Sequence, residues 1–295
     1  MNLKSYLPDY SKVFVIDAIS SDVEIYRDNW GIPHIQANNQ NDLFFAQGFA
    51  TVQDRLFQMD LDRLRCMGRS SEYLGIKAIS NDKLNIKRNF EIVAKADLNK
   101  ASVKAKKMIE YFTKGVNFYL HNLDKLPFEY QLLDKEPELW EDWHSVLVYK
   151  IRNAAEGSFN AKLFYSQLAN EIGSKKAAKL TPGYFPGALL TLPPGKKYTG
   201  EIENAIKELT EAAQNFQSIG AVDGESNGWS ISGNRTYSGL PLVGGDSHRA
   251  LDTPNVYYQV HLKCDDFEGI GHTIPGYPGI MHFAHNKNVA WGMTH

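Results

Sequence analysis

A serine inside the stretch GESNGWSISG, residues 224–233, is the strongest candidate for chemistry in this chain. Two interpretations compete for this residue, Ser226. In the first, Gly224, Ser226 and Gly228 form the G-x-S-x-G of a nucleophile elbow, which needs an apolar strand before the serine and a helix after it. In the second, a polar linker ends at Glu225 and a strand begins at Ser226, so that cleavage of this peptide bond makes the serine a chain terminus. An ordinary loop serine is the third alternative.

The residues on either side of Ser226 favour the second interpretation. The preceding FQSIGAVDG is a helix end followed by polar coil, whereas the following NGWSISGNRT has the alternation and β-forming residues of a strand. Cleavage would leave a hydroxyl and an α-amine on one residue. The reference pKa of an α-amine is about 7.7 to 8.0, so a substantial fraction is neutral near physiological pH and can accept the hydroxyl proton. The uncut chain, in which this nitrogen is an amide, is expected to be inactive.

The elements that must position Ser226 fall into three regions: a mainly helical region over 1–210, a spacer over 211–225, and a strand-rich region over 226–295. Within the first, the patterns predict a hairpin over 22–37, helices over 41–68, 99–123, 145–154 and 159–172, and a Pro/Gly-rich loop over 181–200. A further helix, predicted over 201–216, begins in this region and ends in the spacer. Within the last, they predict a strand over 255–263, two short strands around a Ser-Gly turn over 235–243, and a hairpin turning at 286–288.

Composition excludes several classes of function. With 32 basic and 34 acidic residues the net charge is −2, so nothing draws the chain to nucleic acid or to an anionic membrane. No apolar stretch reaches the roughly 18 residues of a bilayer span, and the opening residues lack the features of an export signal. We therefore expect an unexported chain, although a signal removed earlier would leave no trace. Cys66 and Cys264 are expected to be buried free thiols.

Four longer motifs follow one another in the chain. They are YRDNWGIPHIQANNQNDLFFAQGFATVQDRLFQMDLDRLRCMGRSSEYLG (26–75), GVNFYLHNLDKLPFEYQLLDKEPELWEDW (115–143), SNGWSISGNRTYSGLPLVGGDSHR (226–249) and PGYPGIMHFAHNKNVAWGMTH (275–295). On these motifs the chain resembles the penicillin acylase family of N-terminal nucleophile hydrolases. The resemblance implies an α+β fold, a four-layer αββα sandwich that is incomplete here, with a mainly helical N-terminal region.

The resemblance also implies roles by position. Ser226 falls on the nucleophile, and Glu225–Ser226 on the bond that the family cleaves in itself. His248 falls where the family holds the nucleophile's amine, and His295 where a backbone N–H acts as an oxyanion donor, a contribution of about 2.7 to 4 kcal/mol. Phe283 falls in the acyl pocket, as does the helix over 152–159.

Arg249 falls where relatives carry an apolar residue of the acyl pocket. A guanidinium pairs well with a carboxylate, so this residue favours an acyl group that bears a carboxylate. The alternative, that Arg249 points to solvent, stays equally open.

The implied substrate is a small-molecule N-acyl amide of the penicillin, cephalosporin or acyl-homoserine-lactone type, and the implied assembly is an α/β heterodimer cut from one precursor. No cofactor is required for the chemistry. A structural calcium ion is implied, most of whose ligands would lie beyond residue 295; Glu156 is the candidate ligand here, with a solvated surface glutamate as the alternative reading. The histidines of HFAH, 282–285, do not favour zinc, because strand residues three apart point to opposite faces.

Family members run to more than twice this length, so the chain is expected to be a fragment. The compartment stays open, cytoplasmic by default and periplasmic among relatives. Two alternatives to an amidase also stay open: a catalytically silent remnant useful at most for binding, and an elbow-type esterase. The esterase predicts activity with the 225–226 bond intact.

Overall fold

The computed structural model of the protein describes residues 3–156, 159–180, 204, 226–249 and 251–294. The helices within these ranges are α1 Gln40–Met67, α2 Ser71–Leu74, α3 Ile79–Arg88, α4 Phe90–Lys100, α5 Val103–His121, α6 Phe128–Leu133, α7 Asp142–Glu156, α8 Phe159–Ile172 and α9 Ser174–Leu180. The strands are β1 Glu24–Arg27, β2 Pro33–Gln36, β3 Ser226–Ile231, β4 Leu242–Ser247, β5 Tyr258–Cys264, β6 Phe267–Thr273, β7 His282–His285 and β8 Ala290–Trp291. The predicted loop over 181–200 and, apart from Asn204, the predicted helix over 201–216 lie outside the described residues.

Helix α1 is the longest described element, and local signals set both of its ends. The side chain of Asn39 caps the first turn by accepting a hydrogen bond from the Asp42 N–H at 3.0 Å. Gly68 ends the helix in the left-handed conformation, with a φ of 71°. Inside the helix, Arg55 departs from helical geometry with a φ of −135°. Its guanidinium donates to the Asn255 carbonyl at 2.9 Å, so the kink holds the loop that leads into β5.

The six-stranded sheet has the order β1-β2-β5-β6-β7-β8. Strands β2 and β5 pair in parallel and the other neighbours are antiparallel. Strands β1 and β2 precede Ser226 in the chain, whereas the other four follow it. The predicted helical and strand-rich regions therefore share one sheet and one core. The predicted α+β class, the 22–37 hairpin and the strand over 255–263 are confirmed.

Helices cover this sheet through apolar clusters. The first cluster joins α1 to the sheet and includes Leu43, Ala50, Val260 and Leu262. A second joins α1 to α5 and α7 and includes Trp140, and a third joins α1 to α4 and α7 and includes Trp143. Cys66 and Cys264 are buried free thiols, as predicted. None of the helices in the described ranges combines the length and apolar character that a bilayer span requires.

Strands β3 and β4 form a separate antiparallel pair, with Ser226 opposite Ser247 at one end and Ile231 opposite Leu242 at the other. One expectation about this pair is wrong: the run before the Ser-Gly turn is not a strand. Residues Gly233–Arg235 form a 3₁₀ turn, and the Thr236 hydroxyl donates to the Gly233 and Leu240 carbonyls. The side chain thus closes the loop locally, in competition with strand pairing.

Candidate active site

Ser226 is the first residue of β3, where a strand begins as predicted. Its side chain is only 7% exposed, and its Oγ is buried without a hydrogen-bond partner among the described residues. A strand, and not a helix, follows the serine. The strand-to-helix turn of a nucleophile elbow is therefore wrong for this chain, because the residues after Ser226 pair with β4.

Ser226 and Ser247, which lie opposite each other in β3 and β4, are each hydrogen-bonded to a residue that flanks the six-stranded sheet. The Thr294 hydroxyl donates to the Ser226 carbonyl at 2.5 Å. The Ser247 hydroxyl donates to the Tyr257 hydroxyl oxygen at 3.2 Å. Thr294 follows β8, and Tyr257 directly precedes β5.

Aromatic side chains line the space beside β4. Phe283 stacks on His282 with ring centroids 4.1 Å apart, and the Tyr257 ring meets it edge-on at 6.2 Å. Phe283 also packs on Gly245, where an added Cβ would lie 2.7 Å from the ring. The structure thus places Phe283 against the strand pair that begins at Ser226. The sequence did not predict a role for Tyr257. The one local signal for such a role is that an aromatic residue stands on the less buried face of the strand predicted over 255–263.

His248 lies one residue beyond Ser247, the register partner of Ser226. Its Nε2 is 3.1 Å from the Asn227 amide nitrogen and 3.1 Å from the Asp246 carboxylate. A single ring nitrogen cannot serve both neighbours: a protonated Nε2 donates to Asp246, and an unprotonated one accepts from Asn227. The imidazole is therefore held beside β3 by one or the other of these two neighbours, and among the described residues it makes no hydrogen bond to the Ser226 hydroxyl.

Among the remaining predicted site residues, the structure describes the side chain of Arg249 only. Arg249 is half-buried beside His248, and its backbone N–H donates to the Ser247 carbonyl at 3.0 Å. Glu225 and His295 lie outside the described residues, as does the side chain of Glu156, whose backbone ends α7. Within the described ranges no group of three or more His, Cys, Asp or Glu side chains could hold a metal ion. The structural calcium ion that the resemblance implies therefore stays a prediction.

The segment 152–159, expected to be one helix of the acyl pocket, is divided between the end of α7 and the start of α8. Helix α7 is fixed to α1 by a buried ion pair. The Arg152 guanidinium donates to the Asp62 carboxylate at 3.2 Å, and the two side chains are 11% and 1% exposed. Burial raises the pKa of Asp62, while the charges of Arg152 and Arg65 oppose that shift. Arg152 thus faces α1, where breaking the pair would leave a buried charge.

A sequence profile of the penicillin amidase family matches residues 22–295. The chain belongs to this family. It is 39% identical over 99% of its length to the penicillin acylase 2 proenzyme of Pseudomonas sp. (strain SE83), of which it covers 38%. It is 30% identical over 98% of its length to the acyl-homoserine lactone acylase QuiP of Pseudomonas aeruginosa, of which it covers 35%. The chain therefore spans well under half the length of these penicillin amidase relatives.

Among solved structures, the chain is similar to the thermostable penicillin G acylase of Alcaligenes faecalis. The identity is 23% and the TM-score 0.47, over 59% of this chain and 98% of that one. Membership of the penicillin amidase family confirms the resemblance seen in the four sequence motifs. The roles of Ser226, His248, Arg249 and His295 stay predictions.

Proposed function

We propose that this chain is part of an amidohydrolase that cleaves linear amides with Ser226 as an N-terminal nucleophile. The observation that carries this proposal is the state of the Ser226 hydroxyl: it lies buried at the start of a strand and makes no hydrogen bond within the described chain. An unsatisfied buried hydroxyl costs about 1–3 kcal/mol. Such a group calls for an explanation, and a hydroxyl kept free for a reaction supplies one.

Cleavage of the Glu225–Ser226 bond would place a basic amine on the same residue. The Ser226 hydroxyl then attacks the substrate carbonyl while its proton passes to the α-amine, directly or through one water. Collapse of the tetrahedral intermediate breaks the C–N bond, and the departing amine takes that proton. Water attacks the acyl-serine in the same way and releases the carboxylic acid. The backbone N–H of His295 is our candidate for one oxyanion donor.

Processing of one precursor into two chains is part of the proposal. The word proenzyme in the name of the Pseudomonas sp. relative supports it. The fold supports it as well, because β2 and α1 precede the cut and pack against β5, which follows it. The two products of cleavage would therefore stay together as a heterodimer, without needing a covalent link.

The substrate class we propose is a small N-acyl amide, and the names of the relatives, penicillin acylase and acyl-homoserine lactone acylase, support it. Phe283 and Tyr257 would flank the acyl group, since both lie against the strand pair of Ser226. His248 would hold the new amine after cleavage by exchanging its present contacts with Asn227 and Asp246.

The test uses the full-length protein and intact-mass measurement. Wild type and the matched control Ser230→Ala, an exposed serine of the same strand, are expected to yield two chains, one beginning at Ser226. Ser226→Ala is expected to stay uncut and inactive. Phenylacetyl, glutaryl and acyl-homoserine-lactone amides are then offered to each. Turnover by a wild type whose 225–226 bond is intact would contradict the mechanism.

A further inference from the structure

The strand pair β3–β4 is held to the rest of the described chain mainly at the end where Ser226 lies. Ser226 is buried, whereas the next four residues of β3 are exposed. Towards the other end of the pair, Trp229 is 55% exposed and Leu242 48%. The direction in which Ser226 points therefore depends on the few contacts made at its own end of the pair.

Two hydrogen bonds dominate that end, and each comes from a different part of the six-stranded sheet. Thr294, just past the edge strand β8, donates to the Ser226 carbonyl at 2.5 Å. Tyr257, just before the inner strand β5, accepts from the Ser247 hydroxyl at 3.2 Å. Since Ser226 and Ser247 are register partners, the two bonds hold the same end of the pair, one through each strand.

The bond from Thr294 acts on the backbone of the serine and leaves its hydroxyl free. A hydrogen bond to the Ser226 carbonyl fixes the peptide plane between Ser226 and Asn227, and with it the direction of the Cα–Cβ bond. The Oγ atom keeps its lone pairs and its proton for the reaction. Thr294 also lies beside Gly228, where an added Cβ would make an ordinary van der Waals contact, at 4.0 Å, with the Thr294 methyl carbon.

We propose that Thr294 is a positioning residue for the nucleophile, with Tyr257 supporting it through Ser247. This inference rests on the proposed function, because it assumes that Ser226 attacks the substrate. Thr294 also directly precedes His295, whose backbone N–H is the candidate oxyanion donor. One hydroxyl group thus ties the strand of the nucleophile to the segment that leads to that donor. Reacting groups need placement within about 0.5 Å, which a single exposed strand pair does not supply by itself.

The experiment compares Thr294→Val with Thr294→Ser in the full-length processed protein. Valine keeps the shape and removes the donor, whereas serine keeps the donor. We expect Thr294→Val to lower kcat between tenfold and about a hundredfold, the effect of a misplacement on the scale of 1 Å, with KM changed less than twofold. Thr294→Ser is expected to keep kcat within about threefold of wild type. A role in stability alone would not produce this split between kcat and KM.

Thr236→Val is the matched control, because it removes a hydroxyl with two carbonyl partners at the opposite end of the strand pair. It is expected to leave kcat unchanged. Tyr257→Phe keeps the ring and removes the hydroxyl oxygen that accepts from Ser247. It is expected to lower kcat, as Thr294→Val does. This second variant tests the proposal even if the valine variant does not fold. If wild type turns substrate over and both variants keep full kcat, the positioning role is wrong while the proposed function stands. An inactive, uncut wild type overturns both.

Discussion

Gly48 of α1 and Gly115 of α5 lie at the crossing of the two helices, each against the backbone of the other. A Cβ on Gly48 would meet the Phe112 carbonyl oxygen, and a Cβ on Gly115 would meet the Phe45 carbonyl oxygen, both well inside van der Waals contact. The obstacles are main-chain atoms, which cannot turn aside as a side chain can. These two glycines therefore set the distance between α5 and α1, the helix that supports the sheet.

Gly48→Ala is expected to lower the stability of the protein by about 2 kcal/mol, because overpacking of up to about 3 kcal/mol exceeds the gain in helix propensity of about 1 kcal/mol. Gly269→Ala in β6 is the control, since its Cβ would meet neighbours only at 3.5 Å and beyond. Thermal unfolding of the full-length protein followed by circular dichroism measures both. A Gly48→Ala protein as stable as Gly269→Ala would show that the helices can separate without cost.

Tyr258 links the part of the chain that precedes the proposed cleavage site to the part that follows it. Its hydroxyl donates to the Asp54 carboxylate at 2.6 Å, and Asp54 also accepts from Arg27 at 2.6 Å. Burial raises the pKa of Tyr258 well above its usual value, as does the neighbouring Asp54 charge, so the hydroxyl stays a donor. Tyr258→Phe is expected to weaken the association of the cleaved chains by about 1.5–3 kcal/mol, the usual contribution of a hydrogen bond to a charged group.

Urea titration of the processed heterodimer, followed by size-exclusion chromatography, measures the Tyr258→Phe effect. Tyr237→Phe is the control, because that side chain is fully exposed. Equal urea midpoints for the two variants would show that the hydrogen bond between Tyr258 and Asp54 does not hold the cleaved chains together.

The predicted helix over 41–68 agrees with α1, Gln40–Met67, but the pattern did not predict the kink inside it. Asn39 and Gly68 are cap residues whose effect depends on their immediate neighbours. The kink at Arg55 depends on the Asn255 carbonyl, 200 positions away in the chain, and a periodicity of 3.6 residues contains no information about such a partner. The parallel pairing of β2 with β5 was unpredicted for the same reason.

The candidate site was likewise predicted only in part. The strand that begins at Ser226 follows from the alternation and β-forming residues of NGWSISGNRT, and it was predicted. Thr294 and Tyr257 reach the Ser226–Ser247 pair only because the residues that follow β8 and precede β5 lie beside the pair of β3 and β4. Their roles require the register of β3 with β4 and the position of β8, neither of which a single sequence specifies.

His144 gives the stability of the protein a defined pH dependence. Burial, followed by the charge of Arg63, lowers the pKa of His144 to about 3, and the neutral ring accepts a hydrogen bond from the Glu141 N–H at 2.9 Å. The unfolded chain binds this proton near pH 6.5, so stability is fully present above that pH and is lost as the pH falls towards 3. Between pH 7 and pH 4 the loss from this residue is on the order of 3 kcal/mol.

His144→Asn keeps an acceptor for the Glu141 N–H and removes the titration. Its unfolding midpoint is expected to fall less steeply than that of wild type over the same pH range, whatever its value at pH 7. The comparison of slopes cancels the carboxylates, which titrate in both proteins. Parallel curves for the two proteins would show that His144 takes up its proton without unfolding.

Arg249 tests the substrate class. It lies half-buried next to His248, at the end of the strand pair that begins with Ser226. If its guanidinium binds a carboxylate on the acyl group, Arg249→Leu is expected to lower kcat/KM for a glutaryl amide by about ten- to a hundredfold, the loss of about 1.5–3 kcal/mol from a charged hydrogen bond. The phenylacetyl amide, which has no such carboxylate, is expected to gain or keep its rate. Arg235→Leu, at an exposed arginine in the 3₁₀ turn between β3 and β4, should change neither rate. An equal loss of kcat/KM for both substrates would show that Arg249 stabilises the fold and does not contact the acyl group. Only a direct contact would distinguish the two acyl groups.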